Sequence, residues 1–304
     1  MVFREKIILM PTRHILAALL TIVLWSLNSV AVKIGVEAAA PLWFVAVRLL
    51  LTAVILVPFV DLPRGQWRTM LLLAFVNGGL SFGLITYGLA GIDAATSVII
   101  VQTGTPFTIL LGRFIFGEKF GTWRWAGVGL AFVGIGFLAG EPRTVAPSYF
   151  IASIAAMAAW ALGNVYIKRL DGLHPLAISG WSSLLAAPLV LIASLLTESG
   201  QLLVFGPGYG NFWWTMAYAV IASSIIAHGI WNSLLHKYPM STVAPFNLLI
   251  PVIGFAAAIF LLDEPVTPEK IIGGTLTFAG VAIIQVRIIM KHLADRDIAR
   301  TPAT

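Results

Sequence analysis

Apolar runs of about 20 residues recur along this chain from residue 15 to residue 290, with only short polar links between them. A helix needs about 20 apolar residues to cross the ~30 Å hydrocarbon layer. No water is present there, so each backbone N–H and C=O must be satisfied within the segment, which a helix does. Only 11% of the 304 residues are charged and 59% are hydrophobic, against roughly 25% charged in an ordinary soluble domain. The 28 glycines suit the close approach of membrane helices. These features predict an all-α integral membrane protein with the lipid bilayer as its surroundings.

Ten transmembrane helices are predicted at 15–34, 42–60, 69–89, 93–116, 123–140, 149–167, 175–196, 212–233, 241–262 and 270–290. The link Gly91-Ile92 is so short that spans 3 and 4 must run antiparallel. Trp43, Trp67, Trp123, Trp125, Trp213 and Trp214 mark span ends, where amphipathic rings favour the headgroup layer. Placing the N-terminus in the cytoplasm puts 15 of the 19 Lys and Arg on that side, with Lys33, Arg143 and Lys270 opposite and Arg48 inside span 2. Such segregation supports an even number of spans and cytoplasmic termini.

The net charge of +6 is thereby read as membrane orientation, with no nucleic acid as partner. There is no cysteine, which removes disulfides, thiol nucleophiles and thiolate metal sites. The N-terminal segment shows no small-residue cleavage site, so the first span itself is expected to direct insertion. Paired metal ligands, a GxSxG turn and a phosphate loop are absent. The chain is therefore read as neither an enzyme nor a protein that needs a cofactor or metal. The sequence carries no indication of oligomeric state.

An internal repeat is visible. Residues 113–136 read RFIFGEKFGTWRWAGVGLAFVGIG, and 259–282 read IFLLDEPVTPEKIIGGTLTFAGVA. Glu118 aligns with Glu264, Gly127 with Gly273, Phe132 with Phe278 and Gly134 with Gly280. Near the starts of the halves, WSLNSVAVK (25–33) answers WALGNVYIK (160–168). The chain thus divides into five-span repeats over 15–140 and 149–290, with a cytoplasmic tail at 291–304. Five is odd, so the second repeat lies inverted. Inverted repeats around a midplane site are the architecture of alternating-access carriers; the alternative is a duplicated membrane scaffold that does not transport.

Polar groups in hydrocarbon are costly unless they are paired or face a cavity. Asn28 and Asn164 fall at nearly matching places in spans 1 and 6, each about one turn after a tryptophan, Trp25 and Trp160. They either line a central cavity or hydrogen-bond between helices. Gln102 and Thr103 precede Pro106 in span 4, and Asn247 precedes Pro251 in span 9. Paired proline interruptions in both halves point to a binding centre or to ordinary kinks. Asn77 in span 3 is a weaker candidate. His228, Trp231 and Asn232 share span 8. His228 either binds a carboxylate, changes protonation or bonds a neighbour as a neutral ring. Arg48 either binds a carboxylate or snorkels to the interface. Lys33 is read as an interfacial anchor, and Glu118 and Glu264 as repeated helix-end caps or gate-adjacent groups. None of the 13 acidic residues falls deep within a span.

The WSLN opening of span 1, the Arg48-Leu49 pair and the two Glu-containing repeats resemble the EamA family of the drug/metabolite transporter superfamily. The resemblance covers about residues 15–290. Within that family, APFNLLIPVIGFAAAIFLLDE (244–264) and GIWNSLLHKYP (229–239) are similar to bacterial exporters of O-acetylserine and cysteine. The resemblance implies a ten-helix bacterial inner-membrane exporter of amino acids or derived small polar metabolites. Sugars, nucleotides and drugs are substrates elsewhere in the family.

Overall fold

The computed structural model describes residues 10–117, 121–140, 146–167, 169–170, 172–238 and 240–298, without the side chains at 116, 232, 235, 236, 240, 241, 244, 245 and 287–298. The helices are α1 Thr12–Ala38, α2 Pro41–Phe59, α3 Trp67–Gly91, α4 Ala94–Ile115, α5 Thr122–Ala139, α6 Pro147–Ile167, α7 Pro175–Thr197, α8 Gly210–Trp231, α9 Phe246–Leu262 and α10 Pro268–Val286. Among the described residues, nine are long and apolar enough to cross a bilayer, and α9 is a shorter apolar helix. A helical turn at Met240–Val243 and a 3-10 stretch at Ala244–Leu248 lead into α9. The all-α expectation therefore holds, and the ninth predicted span is a shorter, broken helix.

Local chemistry sets the boundaries. Proline occupies the first turn of α2, α6, α7 and α10, where a missing N–H costs nothing. Gly117 ends α4 with φ 65°, and Asp263 ends α9 with φ 51°. These are repeat-related positions, and Asp is one of the few residues besides Gly that tolerates the left-handed region. The end of α1 extends beyond the predicted residue 34 to Ala38. Lys33 donates to the carbonyls of Leu89 and Ile92, both at 3.0 Å, and lies 3.5 Å from the Glu37 carboxylate. It ties α1 to the end of α3, a larger role than the anchor read from sequence.

The inverted repeat is explicit where α5 packs antiparallel on α10. Gly127 faces the Gly280 carbonyl, and Gly134 faces the Gly273 carbonyl. Each contact is the image of the other under the repeat. A Cβ at Gly134 would stand 2.5 Å from the Gly273 oxygen and 2.7 Å from the Thr277 nitrogen, so only glycine allows the two backbones this close. Thr277, fully buried, donates across the seam to the Ala131 carbonyl at 3.3 Å.

We call the face where α1 begins the near face and the opposite one the far face. At the far face, both Glu264 oxygens accept backbone N–H groups at the start of α4, from Ala94 at 2.6 Å and Ala95 at 2.8 Å. Burial pushes this carboxyl up, while the N–H groups of Ala95 and Ala94 and the charge of Lys270 hold it back. Lys270, with no exposed surface, pairs with Asp93. Glu198 likewise caps α2 through Leu42 N–H at 2.8 Å and Trp43 N–H at 3.1 Å. Beneath these charges, Phe44 and Phe212 meet edge to face at 5.7 Å in an apolar cluster with Val30, Leu89 and Met216. The cap read from sequence is thus seen at Glu264; Glu118 and Lys168 lie outside the described residues.

Gly134→Ala is expected to cost about 1–3 kcal/mol through overpacking. It should lower the melting temperature of the detergent-purified protein, whereas Gly129→Ala, which meets nothing within 4 Å, should leave it unchanged. Glu264→Ala removes a helix cap worth about 1–2 kcal/mol and should lower it in the same assay.

Candidate functional site

Helical regularity fails in register-related places. Residues Ala74–Ser81 of α3 and Tyr218–Ala227 of α8 are π-helical. Such widened turns are frequent at functional sites. In α8 the wide turn creates five-residue side-chain bonds. Ser224 donates to the Ala219 carbonyl at 2.9 Å, and His228 Nδ1 bonds the Ser223 carbonyl at 2.9 Å. The carbonyl is an acceptor only, so Nδ1 carries the proton. α4 is interrupted at Gln102 and Thr103, between Ala94–Val101 and Gly104–Phe116. The 3-10 stretch before α9 is the matching interruption in the second half. α1 is interrupted at Leu27, next to Asn28.

Two cavities lie among these irregular segments. One of about 410 Å³ extends toward the far face, past Val32, Leu89 and Ser97. The other, of about 350 Å³, extends toward the near face, past Leu73, Ile167 and Pro175. Arg48, Phe82, Trp160 and His228 line both. We call this shared lining the septum; it draws on α2, α3, α6 and α8, two helices from each half. Among the described residues no Asp or Glu lines either cavity.

Arg48 turns into this septum instead of snorkelling to an interface. It donates to Ser224 Oγ at 3.1 Å, and its guanidinium carbon lies 5.4 Å from the centre of the Phe82 ring. Among the described residues no carboxylate forms an ion pair with it. His228 meets Trp25 edge to face at 5.0 Å, and Trp25 donates its indole N–H to the Ser223 carbonyl at 3.3 Å. Trp25 thus links the α1 interruption to the π-helical turn of α8.

Most of the predicted site residues converge here. Trp25, Asn28, Gln102, Arg48, Trp160 and His228 line the larger cavity. Asn77, Asn164, Arg48, Trp160 and His228 line the smaller one. Three predicted residues stand apart. Thr103 is fully buried and donates to the Ile100 carbonyl at 2.6 Å, a bond within its own helix. Trp231 is buried against Trp25 at 5.3 Å, behind the cavity wall. Asn247 lines neither cavity. The side chain of Asn232 lies outside the described residues. Among the described residues the buried carboxamide oxygens of Asn28, Asn77 and Asn247 meet no donor, which costs about 1–3 kcal/mol for a group left unsatisfied.

Phe82, Ser224 and the serines at 179, 182 and 183 also line the site. The sequence reading missed them because serine and phenylalanine are ordinary packing residues in membrane helices. The signal that was available for Ser224 is its place in Ser223-Ser224, one turn before His228 on the same helix. Among the described residues no group of three His, Asp or Glu could hold a metal ion.

Similar proteins place this architecture. A crystal structure sharing 18% identity matches with a TM-score of 0.60 over 90% of this chain and 97% of that one, which shows the fold. The Escherichia coli protein named "Probable amino-acid metabolite efflux pump" is 30% identical over 279 residues, 88% of this chain and 92% of its own. Its Salmonella typhimurium namesake is 31% identical over the same shares. The "S-adenosylmethionine/S-adenosylhomocysteine transporter" of Chlamydia trachomatis is 25% identical over 88% of this chain and 85% of its own. The family model described as "EamA-like transporter family" matches twice, over residues 12–140 and 147–286. With both five-helix halves matched and a cavity walled by each of them, this multi-pass membrane chain belongs to the EamA-like transporter family.

Proposed function

We propose that this protein exports amino acids or amino-acid-derived metabolites across the bacterial inner membrane by alternating access, with both termini in the cytoplasm. The observation that carries this reading is the septum. Two cavities, each large enough for a small metabolite, are separated by four side chains drawn equally from the two halves. Rocking one half against the other changes which cavity communicates with the septum, as expected for an inverted-repeat carrier. Trp25, Asn28, Arg48, Asn77, Gln102, Trp160, Asn164 and His228 are the substrate-contacting residues in this reading.

The two relatives named for amino-acid metabolite efflux support the substrate class. The similarity of 229–239 and 244–264 to exporters of O-acetylserine and cysteine makes those two solutes the first to test. In proteoliposomes, internal unlabelled cysteine or O-acetylserine should accelerate uptake of the same labelled solute, with threonine as the comparison amino acid, and a sugar should not. Accumulation of neither solute by verified, folded protein would sink that substrate assignment. Asn77→Leu leaves the helix length unchanged but removes a polar wall of the near-face cavity. It should slow counterflow several-fold while leaving the melting temperature unchanged or raised, because a buried unsatisfied oxygen goes with it.

Orientation has its own measurement. The chain has no cysteine, so single introduced thiols report cleanly. Ser199→Cys, in the exposed far-face link after α7, should react with a membrane-impermeant maleimide in intact cells. Gly121→Cys, in the near-face link before α5, should react only after the membrane is opened. The reverse pattern would put the termini outside.

A further inference from the structure

Resting on the carrier reading above, we infer that Arg48 is a carboxylate subsite shared by both cavities, and that the solute is selected for its carboxylate rather than its amino group. The guanidinium has five N–H donors in a fixed fork. Among the described residues its one hydrogen bond goes to Ser224 Oγ. An arginine at membrane depth is retained where it faces a cavity and finds a partner. The cavities offer that place, because among the described residues no Asp or Glu lines them.

The same inventory decides between the two ends of an amino acid. A carboxylate meets a charged, forked donor that it fits in bidentate geometry. An ammonium meets only neutral groups, such as the serines and the Asn28 and Asn77 carboxamides, and faces the arginine charge across a low-dielectric space. The carboxylate end is therefore bound and the amino end tolerated. Because Arg48 lines both cavities, the carboxylate stays on one guanidinium while the rest of the solute changes sides. The aromatic walls of Phe82, Trp25 and Trp160 suit a short, weakly polar side chain.

Three thiols separate the requirements: cysteine, cysteamine, which lacks the carboxylate, and 3-mercaptopropionate, which lacks the amine. Binding to the full-length purified protein is read by quenching of tryptophan fluorescence, since Trp25 and Trp160 line the cavities. Competition against labelled cysteine is read in the counterflow assay. Cysteine and 3-mercaptopropionate should bind and compete with apparent affinities within a few-fold of each other, and cysteamine should not. Arg48→Gln should weaken the two carboxylates by about tenfold to a hundredfold, the range of a charge-assisted hydrogen bond. Arg48→Lys should fall between, because it keeps the charge and loses the fork.

Cysteamine binding as well as 3-mercaptopropionate to the wild-type protein overturns the inference, and that comparison needs no variant to fold. Absence of quenching by every compound also overturns it, as does undiminished carboxylate binding in folded Arg48→Gln. Carboxylate-selective quenching without counterflow of cysteine, O-acetylserine or threonine would leave the subsite standing and remove the transport reading instead.

Discussion

Inside the hydrocarbon layer a backbone amide or a charged side chain has no water to turn to, and this chain is arranged around the substitutes it finds. Regular helices satisfy their own amides. Where an end would be left open, a carboxylate closes it: Glu264 at the start of α4 and Glu198 at the start of α2. Where regularity fails, in the π-helical turns of α3 and α8 and the interruptions of α1, α4 and the approach to α9, the irregular backbone gathers around cavities. A soluble protein could have placed such breaks anywhere on its surface. Here they mark the site.

The two kinds of contact between the halves divide the labour of the molecule. Along the α5–α10 seam, glycines bring carbonyl against backbone with no side chain between. Such an interface has little freedom to slide, because close-packed backbones have no side-chain rotamers with which to adjust. At the septum, contact is through long side chains, Arg48, Trp160 and His228, and through one hydrogen bond from Arg48 to Ser224. That surface can rearrange by changing rotamers and exchanging one partner. The rigid seam and the adaptable septum are what a rocking carrier requires at its fulcrum and at its centre.

Charge is distributed to the same end. The far face concentrates Lys33, Glu37, Asp93, Glu264 and Lys270 in mutually satisfied pairs and caps above the Phe44–Phe212 contact. The centre holds the Arg48 guanidinium, which among the described residues has no carboxylate partner. The former ties helix ends together at the far face, and the latter stands beside both cavities.

The sequence by itself determined the helical class, the approximate positions of the crossings and the inverted duplication, because hydrophobic length and repeat register are one-dimensional quantities. It also brought Trp25, Asn28, Arg48, Asn77, Gln102, Trp160, Asn164 and His228 into consideration, since a polar or aromatic group in an apolar run is visible without a fold. It could not separate these from Thr103, Trp231 and Asn247, which look the same in the sequence. Thr103 turns to its own helix, Trp231 stands behind Trp25, and Asn247 sits in a turn away from the cavities. Nor could it pick Ser224 from the other serines, or tell that Lys33 reaches the end of α3. Whether a side chain meets a cavity, a neighbour or its own backbone depends on helix rotation and on local changes from α to π or 3-10 geometry. Those are fixed by packing between helices far apart in the chain, and so only the tertiary structure decided them.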